Sequence, residues 1–387
     1  RAALDLLLRK QGFTLYDVSL WHGPIGNKPT DEVPSATMRK GGKPDPRHLC
    51  PTAMLASETF RRQYEEHVKK RLCPPQQGDW VAIDFEPWGL PTKICYCDRC
   101  LDRFRNAAKL PENVDNQQLR KKIWDYQDEW ARFWTRTTAD ITGMMAAAAR
   151  KVDPRLRIVD YTYAFEYESP TLMRRFWSIP KDPRFVEEVV DESMLSFYHL
   201  NDRKAFDMLA LNLRHLRKPV SVIVSLSRAN AAQGSYTTPE ESLSPQRLKQ
   251  KVLLCAAQGV RKVNLFPGRY IDGMHHQAMG EASRLVWTHE RFYFQGQRSD
   301  DTIALTFESG VVPTQDVVAH TVWSAGTESL LTLFNFSGDP ITIVTHITAP
   351  VTSINASDGQ PVVVDVPKKT ATITLQPHGT RLVMVRH

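Results

Sequence analysis

Residues 81–104 read V-A-I-D-F-E-P-W-G-L-P-T-K-I-C-Y-C-D-R-C-L-D-R-F, and this stretch decides the fold class. The short apolar run from Trp80 to Ile83 predicts a buried strand that delivers Asp84 and Glu86 to its carboxyl end, just before a Pro/Gly loop. An α/β barrel carries its catalytic residues at this end of its strands. We therefore expect Asp84 and Glu86 to belong to an active site.

Strand-like runs alternate with helical patterns on both sides of this segment. Strands are expected at 13–21, 80–84, 156–163, 194–198, 220–226 and 260–266, and long helices at 52–71, 117–151 and 245–258. Such alternation favours a parallel sheet with helices outside it. We predict an α/β fold, a (β/α)8 barrel of the TIM type over residues 1–292, which lacks its first two βα units in this chain. A six-stranded doubly wound sheet is the alternative.

The pattern changes after Arg291. Short β-rich runs follow one another from Thr302 to the end, separated by turn residues at intervals of about ten residues. This spacing predicts a second domain over residues 297–387, an antiparallel all-β sandwich. Its modest aromatic content favours a structural cap on the barrel over an independent sugar-binding module.

Composition bounds the function classes. The chain has 387 residues, 42% of them hydrophobic, so it can bury a large core. Its 50 basic and 43 acidic residues give a formal charge of +7, but the basic residues follow helical surface patterns, which argues against nucleic acid as a partner. No apolar run is long enough to span a membrane. The sequence does not fix the cellular compartment, and it leaves open a homo-oligomer or an upstream segment that completes the barrel.

Cys95, Cys97 and Cys100 form a C-x-C-x-x-C array directly before an aromatic-rich helix. Three thiols so close together cannot all pair with one another, whereas three thiolates and a fourth ligand can share one Zn²⁺. Cys50, in H-L-C-P-T, is favoured over Cys73 as the fourth ligand, because Cys73 follows the far end of the helix that begins near Thr52. Four thiolates leave no site for water, so we expect a structural zinc that braces the loop next to Glu86.

Other strand ends carry carboxylates, aromatic rings and cations. Glu86 is the expected general acid, with Asp84 beside it. Its partner carboxylate is less well defined: Glu166 and Asp202 are the candidates retained, and Asp160 and Asp272 also follow strands. Aromatic side chains stack on the apolar faces of sugars, histidines bind hydroxyl groups, and arginines contact acidic sugars. The candidate substrate-binding residues on these grounds are Trp21, His22, Trp88, Tyr161, Tyr163, Tyr198, His199, Arg228 and Arg269.

Three segments together resemble the family 42 glycoside hydrolases and related retaining barrel glycosidases. They are H-L-C-P-T-A-M-L-A-S-E-T-F-R-R, D-F-E-P-W-G and C-Y-C-D-R-C-L-D-R-F, and the resemblance covers roughly residues 1 to 150. It implies a barrel glycosidase, with Cys50, Cys95, Cys97 and Cys100 as zinc ligands and Glu86 as acid/base. It also implies that the strand over 13–21 is the third of the barrel.

The sequence departs from that family at two positions. Phe85 replaces the asparagine that binds the sugar 2-hydroxyl, and the strand expected to carry the nucleophilic glutamate reads S-V-I-V-S-L-S-R, without a carboxylate. β-Galactosidase activity is therefore not implied. Two alternatives stay open: a substrate-assisted hexosaminidase mechanism that uses Asp84, Glu86 and Tyr198, and a carbohydrate-binding barrel that has lost its nucleophile.

Overall fold

The computed structural model describes residues 16–21, 29–37, 44–72, 80–85, 95–111, 113–164, 180–197, 201–225, 229–230, 235–236, 243–266, 272–314 and 316–387. Two compact units divide the chain, Arg1–Ser196 with Leu211–Val220, and Phe197–Ala210 with Ser221–His387. These units do not coincide with the expected boundary between residues 292 and 297, which stays a prediction. No helix within the described ranges has the length and apolar character needed to cross a membrane.

The first group of strands forms a sheet of the parallel type. Its members are β1 (Tyr16–Trp21), β4 (Trp80–Asp84), β5 (Arg157–Tyr163), β6 (Glu192–Phe197), β7 (Val220–Ser225) and β10 (Lys262–Phe266), in the order β1-β4-β5-β6-β7-β10. Pairing is parallel between β1 and β4, β4 and β5, β5 and β6, and β7 and β10. The predicted strands are confirmed to within a few residues, and the strand order is that of part of a barrel.

Helices separate these strands. They are α1 (Pro51–Ala56), α2 (Glu58–Arg71), α3 (Asp98–Ala107), α4 (Asn116–Lys122), α5 (Gln127–Val152), α6 (Pro183–Val186), α7 (Asp202–His215), α8 (Pro245–Ala257), α9 (Gly273–Thr288) and α10 (Glu290–Gln295), with 3₁₀ turns at Ile123–Tyr126 and Asp300–Thr302. Short strands pair as β2 (Ser35–Thr37) with β3 (Pro44–Leu49), and β8 (Ala229–Asn230) with β9 (Ser235–Tyr236).

Two helices expected to be continuous are interrupted. Ser57 takes an extended conformation, and its Oγ accepts the N–H of Phe60 at 2.9 Å, so it ends α1 and caps α2. The predicted helix over 117–151 is likewise divided by the 3₁₀ turn at Ile123–Tyr126. A side-chain cap interrupts the first helix, and a 3₁₀ turn interrupts the second.

The core of the first unit lies between β4 and β5 and the helices α2 and α5. Val81 and Ile83 alternate with residues that face the other side of the sheet, and both are fully buried against Val68, Met145 and other apolar side chains of those helices. This alternation sends Asp84 to the opposite side from Ile83. The core therefore fixes the direction in which β4 presents its terminal carboxylate.

The C-terminal strands form two antiparallel sheets in the second unit. The strands are β11 (Gln297–Arg298), β12 (Ile303–Phe307), β13 (Val318–Ala325), β14 (Glu328–Asn335), β15 (Ile341–Ile347), β16 (Ser353–Ala356), β17 (Val363–Asp365), β18 (Thr370–Leu375) and β19 (Thr380–Arg386). One sheet has the order β11-β13-β14-β19-β16 and the other β12-β15-β18-β17. Both sheets contribute buried side chains to one core, among them Leu331 and Ile373, as the predicted sandwich requires.

A buried polar contact joins this sandwich to helix α8 of the same unit. Gln250, 1% exposed, donates from Nε2 to the carbonyl oxygens of Asn335 at 2.8 Å and Gly379 at 3.1 Å. Trp323 donates from its indole nitrogen to the Ala257 carbonyl at 2.7 Å. Because buried polar groups need partners, these bonds fix the sandwich against the end of α8.

Candidate functional site

Four cysteine side chains converge in the first unit. The sulfur atoms of Cys50, Cys95, Cys97 and Cys100 all lie within 4.8 Å of one another. Cys50 Sγ lies 3.7 Å from Cys97 Sγ and 3.5 Å from Cys100 Sγ, and the last two are 3.5 Å apart. The expected convergence of these residues is confirmed, whereas Cys73 lies outside the described residues.

These distances fit a shared metal ion better than a disulfide. A disulfide joins its sulfurs at about 2.05 Å. Four thiolates at about 2.3 Å from a tetrahedral Zn²⁺ lie about 3.8 Å from one another. The observed spacings of 3.5 to 3.7 Å are close to that value. The donor set therefore fits Zn²⁺.

The clustered thiols also change one another's protonation. The hydrogen bond with Cys100 lowers the pKa of Cys50, while the bond with Cys50 raises the pKa of Cys100. Without a cation, such a cluster holds only part of its possible negative charge, because each thiolate raises the cost of ionising the next. A divalent cation removes that limit. The hydroxyl of Thr52 lies 3.0 Å from Cys100 Sγ and 3.3 Å from Cys50 Sγ, where it can donate to a thiolate.

An aromatic core surrounds the cysteine cluster. Trp130 lies at its centre, with ring centroids 5.3 Å from Tyr96, 4.8 Å from Phe104 and 5.4 Å from Trp134. Cys50, Cys95 and Cys100 are fully buried in the same group of side chains. The cluster thus joins the chain at residue 50 to the chain at residues 95–100 inside one hydrophobic core.

The carboxyl ends of three neighbouring strands bring predicted site residues side by side. In the backbone register Trp21 pairs with Asp84, and Ile83 pairs with Asp160, which places Tyr161 next to Asp84. Asp84 is half-buried and Asp160 is fully buried. The predicted grouping of strand-end residues is therefore present in β1, β4 and β5.

A lysine that sequence reasoning missed completes this group. Lys181 is fully buried, and its Nζ lies 3.1 Å from Asp160 Oδ2. It donates to the carbonyl oxygen of Phe85 at 2.8 Å and also to that of Tyr161. The only sequence signal is its place between two prolines, Pro180 and Pro183, which suggests a rigid loop without indicating what the lysine binds.

Burial dominates the electrostatics of both aspartates. Desolvation raises the pKa of Asp160 to about 7, although the ammonium of Lys181 opposes the shift and the carboxylate of Asp84 adds to it. Desolvation also raises the pKa of Asp84, again against the attraction of Lys181. Within the described part of the chain, no hydrogen-bond donor reaches the buried Oδ1 of Asp84. The end of β4 is thus an environment that favours a protonated carboxyl group.

This shift predicts a pH dependence of stability that Asp160→Asn removes. Burial raises the pKa of Asp160 to about 7 in the folded protein, above the ordinary aspartate value of 3.8, so its contribution to stability is complete below pH 3.8 and is lost as the pH rises through 7. We expect the free energy of unfolding of the wild type, relative to Asp160→Asn, to fall by roughly 2–4 kcal/mol over this range. Urea titrations of both proteins at several pH values measure it, and parallel pH profiles would contradict the assignment.

Asp202, a predicted catalytic residue, lies in an ion-pair cluster of the second unit. It begins α7 and is 4% exposed. Its Oδ1 lies 2.7 Å from Lys251 Nζ, and its Oδ2 lies 2.8 Å from Arg247 Nε. Both oxygens are thus engaged by cations of α8. This arrangement explains the burial of Asp202 without a substrate, and its catalytic role stays a prediction.

Asp202→Ala is expected to lower the free energy of unfolding by about 3–5 kcal/mol, because it leaves Lys251 buried without its carboxylate. Asp207→Ala, on the same helix, removes only an exposed pair with Arg203 and is expected to cost about 0–1 kcal/mol. Denaturant titration compares the two variants. A small, equal loss of stability in both, with turnover lost only in Asp202→Ala, would instead favour the catalytic role.

For the remaining predicted site residues, the structure gives positions for some, and their roles stay predictions. Tyr161 and Tyr163 are 6% and 7% exposed, with ring centroids 6.0 Å apart, so they help to build the strand end from within the core. Asp272, at the start of α9, accepts the N–H of His275 at 2.9 Å and acts as a helix cap. For Trp21 the backbone alone is described. The predicted site residues outside the described ranges are His22, Glu86, Trp88, Glu166, Tyr198, His199, Arg228 and Arg269.

Comparison with known proteins identifies the fold. No family model and no curated protein matches the sequence. Among solved structures, a catalytic mutant of Gan42B, a GH42 β-galactosidase from G. stearothermophilus, aligns with a TM-score of 0.53 at 11% identity, over 100% of this chain and 90% of that chain. Abp-WT, a GH27 β-L-arabinopyranosidase from Geobacillus stearothermophilus, aligns with a TM-score of 0.50 at 10% identity, over 100% and 77% of the two chains.

A third similar structure belongs to another type of glycosidase. It is α-L-fucosidase isoenzyme 2 from Paenibacillus thiaminolyticus, with a TM-score of 0.50 at 9% identity, over 91% of this chain and 84% of that chain. At such identities the likeness concerns the fold alone. The resemblance to family 42 is therefore confirmed only as a resemblance to barrel glycosidases in general. The chain shares with these structures a fold in which parallel strands in barrel order are followed by antiparallel β sheets.

Proposed function

We propose that this protein is a glycoside hydrolase that cleaves a glycosidic bond of an oligo- or polysaccharide, with Glu86 as the general acid/base. The observation that carries the proposal is the half-buried carboxyl group of Asp84 at the carboxyl end of β4. Burial there raises the pKa of Asp84, and Glu86 follows two residues later. A barrel places its chemistry at this end of its strands. The fold shared with several glycosidases supports the same function.

Glycoside hydrolysis requires two groups at such a site. A protonated carboxyl group gives its proton to the departing oxygen, and a second carboxylate attacks the anomeric carbon or activates a water molecule. In the proposed mechanism Glu86 is the proton donor. In its ionised form, Asp84 would raise the pKa of the Glu86 carboxyl group, because a nearby negative charge disfavours ionisation of a second carboxyl group. Glu166 and Asp202 are the proposed candidates for the second carboxylate.

The proposed cofactor is one structural Zn²⁺ held by Cys50, Cys95, Cys97 and Cys100. The spacing of the sulfur atoms supports it, and the four thiolates would supply a closed shell without a position for water. The metal would therefore take no part in the reaction. Its role would be to fix the chain at Cys95, nine residues after Glu86 in the sequence, against the aromatic core around Trp130.

A second mechanism is favoured by two observations. The strand Val220–Ser225 carries no carboxylate, and the buried Oδ1 of Asp84 lacks a donor among the described residues. In a substrate-assisted reaction, the acetamido oxygen of the sugar itself attacks the anomeric carbon while the acid protonates the leaving oxygen. Asp84 would accept the acetamido N–H, Glu86 would donate the proton, and Tyr198 would stabilise the cyclic intermediate. The substrate would then be a 2-acetamido sugar.

Turnover of a panel of aryl glycosides distinguishes these functions. The panel pairs each neutral sugar with its 2-acetamido counterpart. Hydrolysis of neutral glycosides supports the mechanism with two carboxylates, and hydrolysis confined to acetamido sugars supports the substrate-assisted one. A wild-type protein that binds oligosaccharides but hydrolyses none of the panel would favour the non-catalytic carbohydrate-binding barrel and would reject the proposed activity.

A further inference from the structure

The buried ammonium group of Lys181 connects the ends of two adjacent strands. Its Nζ bonds the carbonyl oxygen of Phe85, directly after β4, at 2.8 Å, and also the carbonyl oxygen of Tyr161 within β5. Asp160 Oδ2, also on β5, lies 3.1 Å away. The two carbonyl contacts are hydrogen bonds, and the contact with Asp160 is an ion pair.

Such a group is not explained by stability alone. A charged pair without exposure to water loses its hydration, and a well-packed apolar replacement is often as stable or more stable. Neither Lys181 nor Asp160 is accessible to solvent. Charged and hydrogen-bonded groups do, however, fix directions in a way that apolar contacts do not. The geometry of Lys181 is therefore better explained by what it orients.

The contacts of Lys181 hold the end of β4 at the Phe85 carbonyl oxygen. Glu86, the proposed general acid, is the next residue in the sequence. The same ammonium group bonds the carbonyl oxygen of Tyr161. Tyr161 lies on β5, beside Asp84 of β4 in the register of the sheet. One side chain thus sets the relative position of the two strand ends from which the proposed site is built.

We propose that Lys181 is a positioning residue for the proposed site of this protein, acting through the Phe85 and Tyr161 carbonyls at the two strand ends rather than through contact with substrate. This inference rests on the proposed function, because it assigns a purpose to that same site. The charged groups that face Lys181 within the described residues are Asp160 and Asp84. Removal of its charge therefore also changes the proton affinity of both aspartates.

Lys181→Met tests the proposal because methionine fills a similar volume without donating a hydrogen bond. Val190→Ala is the control, since Val190 is fully buried in the core of the same unit and its apolar side chain has no hydrogen bond to lose. Hydrogen exchange is measured in peptides that cover residues 80–85 and 157–164. We expect Lys181→Met to increase exchange severalfold in these two strand ends above any increase elsewhere, and Val190→Ala to show no such local excess.

Aryl glycoside kinetics of the same variants supply the second measurement. We expect Lys181→Met to lower kcat with little change in KM and to shift the pH optimum, whereas Val190→Ala keeps both. If Lys181→Met does not fold, Lys181→Arg is measured instead, because it keeps the charge but alters the donor geometry, and the same local increase in exchange is expected.

The outcomes separate this inference from the proposed function. Unchanged exchange at both strand ends overturns the inference whatever the activity. Local loosening with an unchanged kcat and pH optimum also overturns it, because the strand ends would then be irrelevant to the acid. Local loosening together with an inactive wild type rejects the proposed function and leaves Lys181 as a structural clamp only.

Discussion

Cys100→Ser is expected to abolish stoichiometric metal binding and to destabilise the first unit by several kcal/mol. Structural Zn²⁺ contributes an apparent binding free energy of about 10–16 kcal/mol in small zinc-dependent domains, and part of such a contribution is lost with one ligand. Cys100 is fully buried, and its sulfur lies 3.5 Å from those of Cys50 and Cys97. Serine at this position leaves the other three thiolates with an incomplete shell.

Elemental analysis and near-ultraviolet circular dichroism measure the effect. The wild type should contain one zinc ion per chain, and Cys100→Ser should contain none and lose the signal of Trp130 and Trp134 in the adjoining core. Cys255→Ala is the matched control, because Cys255 is equally buried but stands apart from the cluster. An equal zinc content in wild type and Cys100→Ser would contradict the metal site.

Glu86→Gln is expected to lower kcat by about 10²–10⁴-fold, the usual contribution of a general acid. Glutamine keeps the shape of the side chain but has no acidic proton to give, so KM and the free energy of unfolding should change little. Glu65→Gln is the control, since Glu65 lies on α2, away from any strand end, and forms an ion pair with Lys151 of α5. Equal turnover by Glu86→Gln and Glu65→Gln would exclude Glu86 as the acid.

Much of the fold follows directly from local patterns. The apolar run at Trp80 to Ile83 and its counterparts have the length and residue types of buried strands, and the structure places strands there to within a few residues. The positions of helix breaks are harder to predict. The helix break at Ser57 depends on a hydrogen bond between its side chain and the N–H of Phe60, which competes with continuation of the helix. A pattern of apolar residues does not show whether the chain forms the cap or a continuous helix at this position.

The two candidate sites differ in how far sequence determines them. The cysteine cluster was predictable because C-x-C-x-x-C has few uses other than metal binding, and the structure adds Cys50 at the expected position. Lys181 was not predictable, because a loop residue about 100 positions after Phe85 gains its role only when the sheet forms. The burial of Asp202 among cations is another product of tertiary structure, since Arg247 and Lys251 lie more than 40 residues later in the sequence.

The dependence of the rate on the leaving group tests the central claim most directly. The dinitrophenolate group of a dinitrophenyl glycoside can leave with little help from an acid. The phenolate group of a phenyl glycoside is more basic and leaves only when its oxygen is protonated. If Glu86 is the proton donor, Glu86→Gln slows hydrolysis of the phenyl glycoside by about 10²–10⁴-fold and that of the dinitrophenyl glycoside far less. Equal slowing of both substrates, or slowing of neither, would contradict the role of Glu86 and with it the proposed glycosidase mechanism.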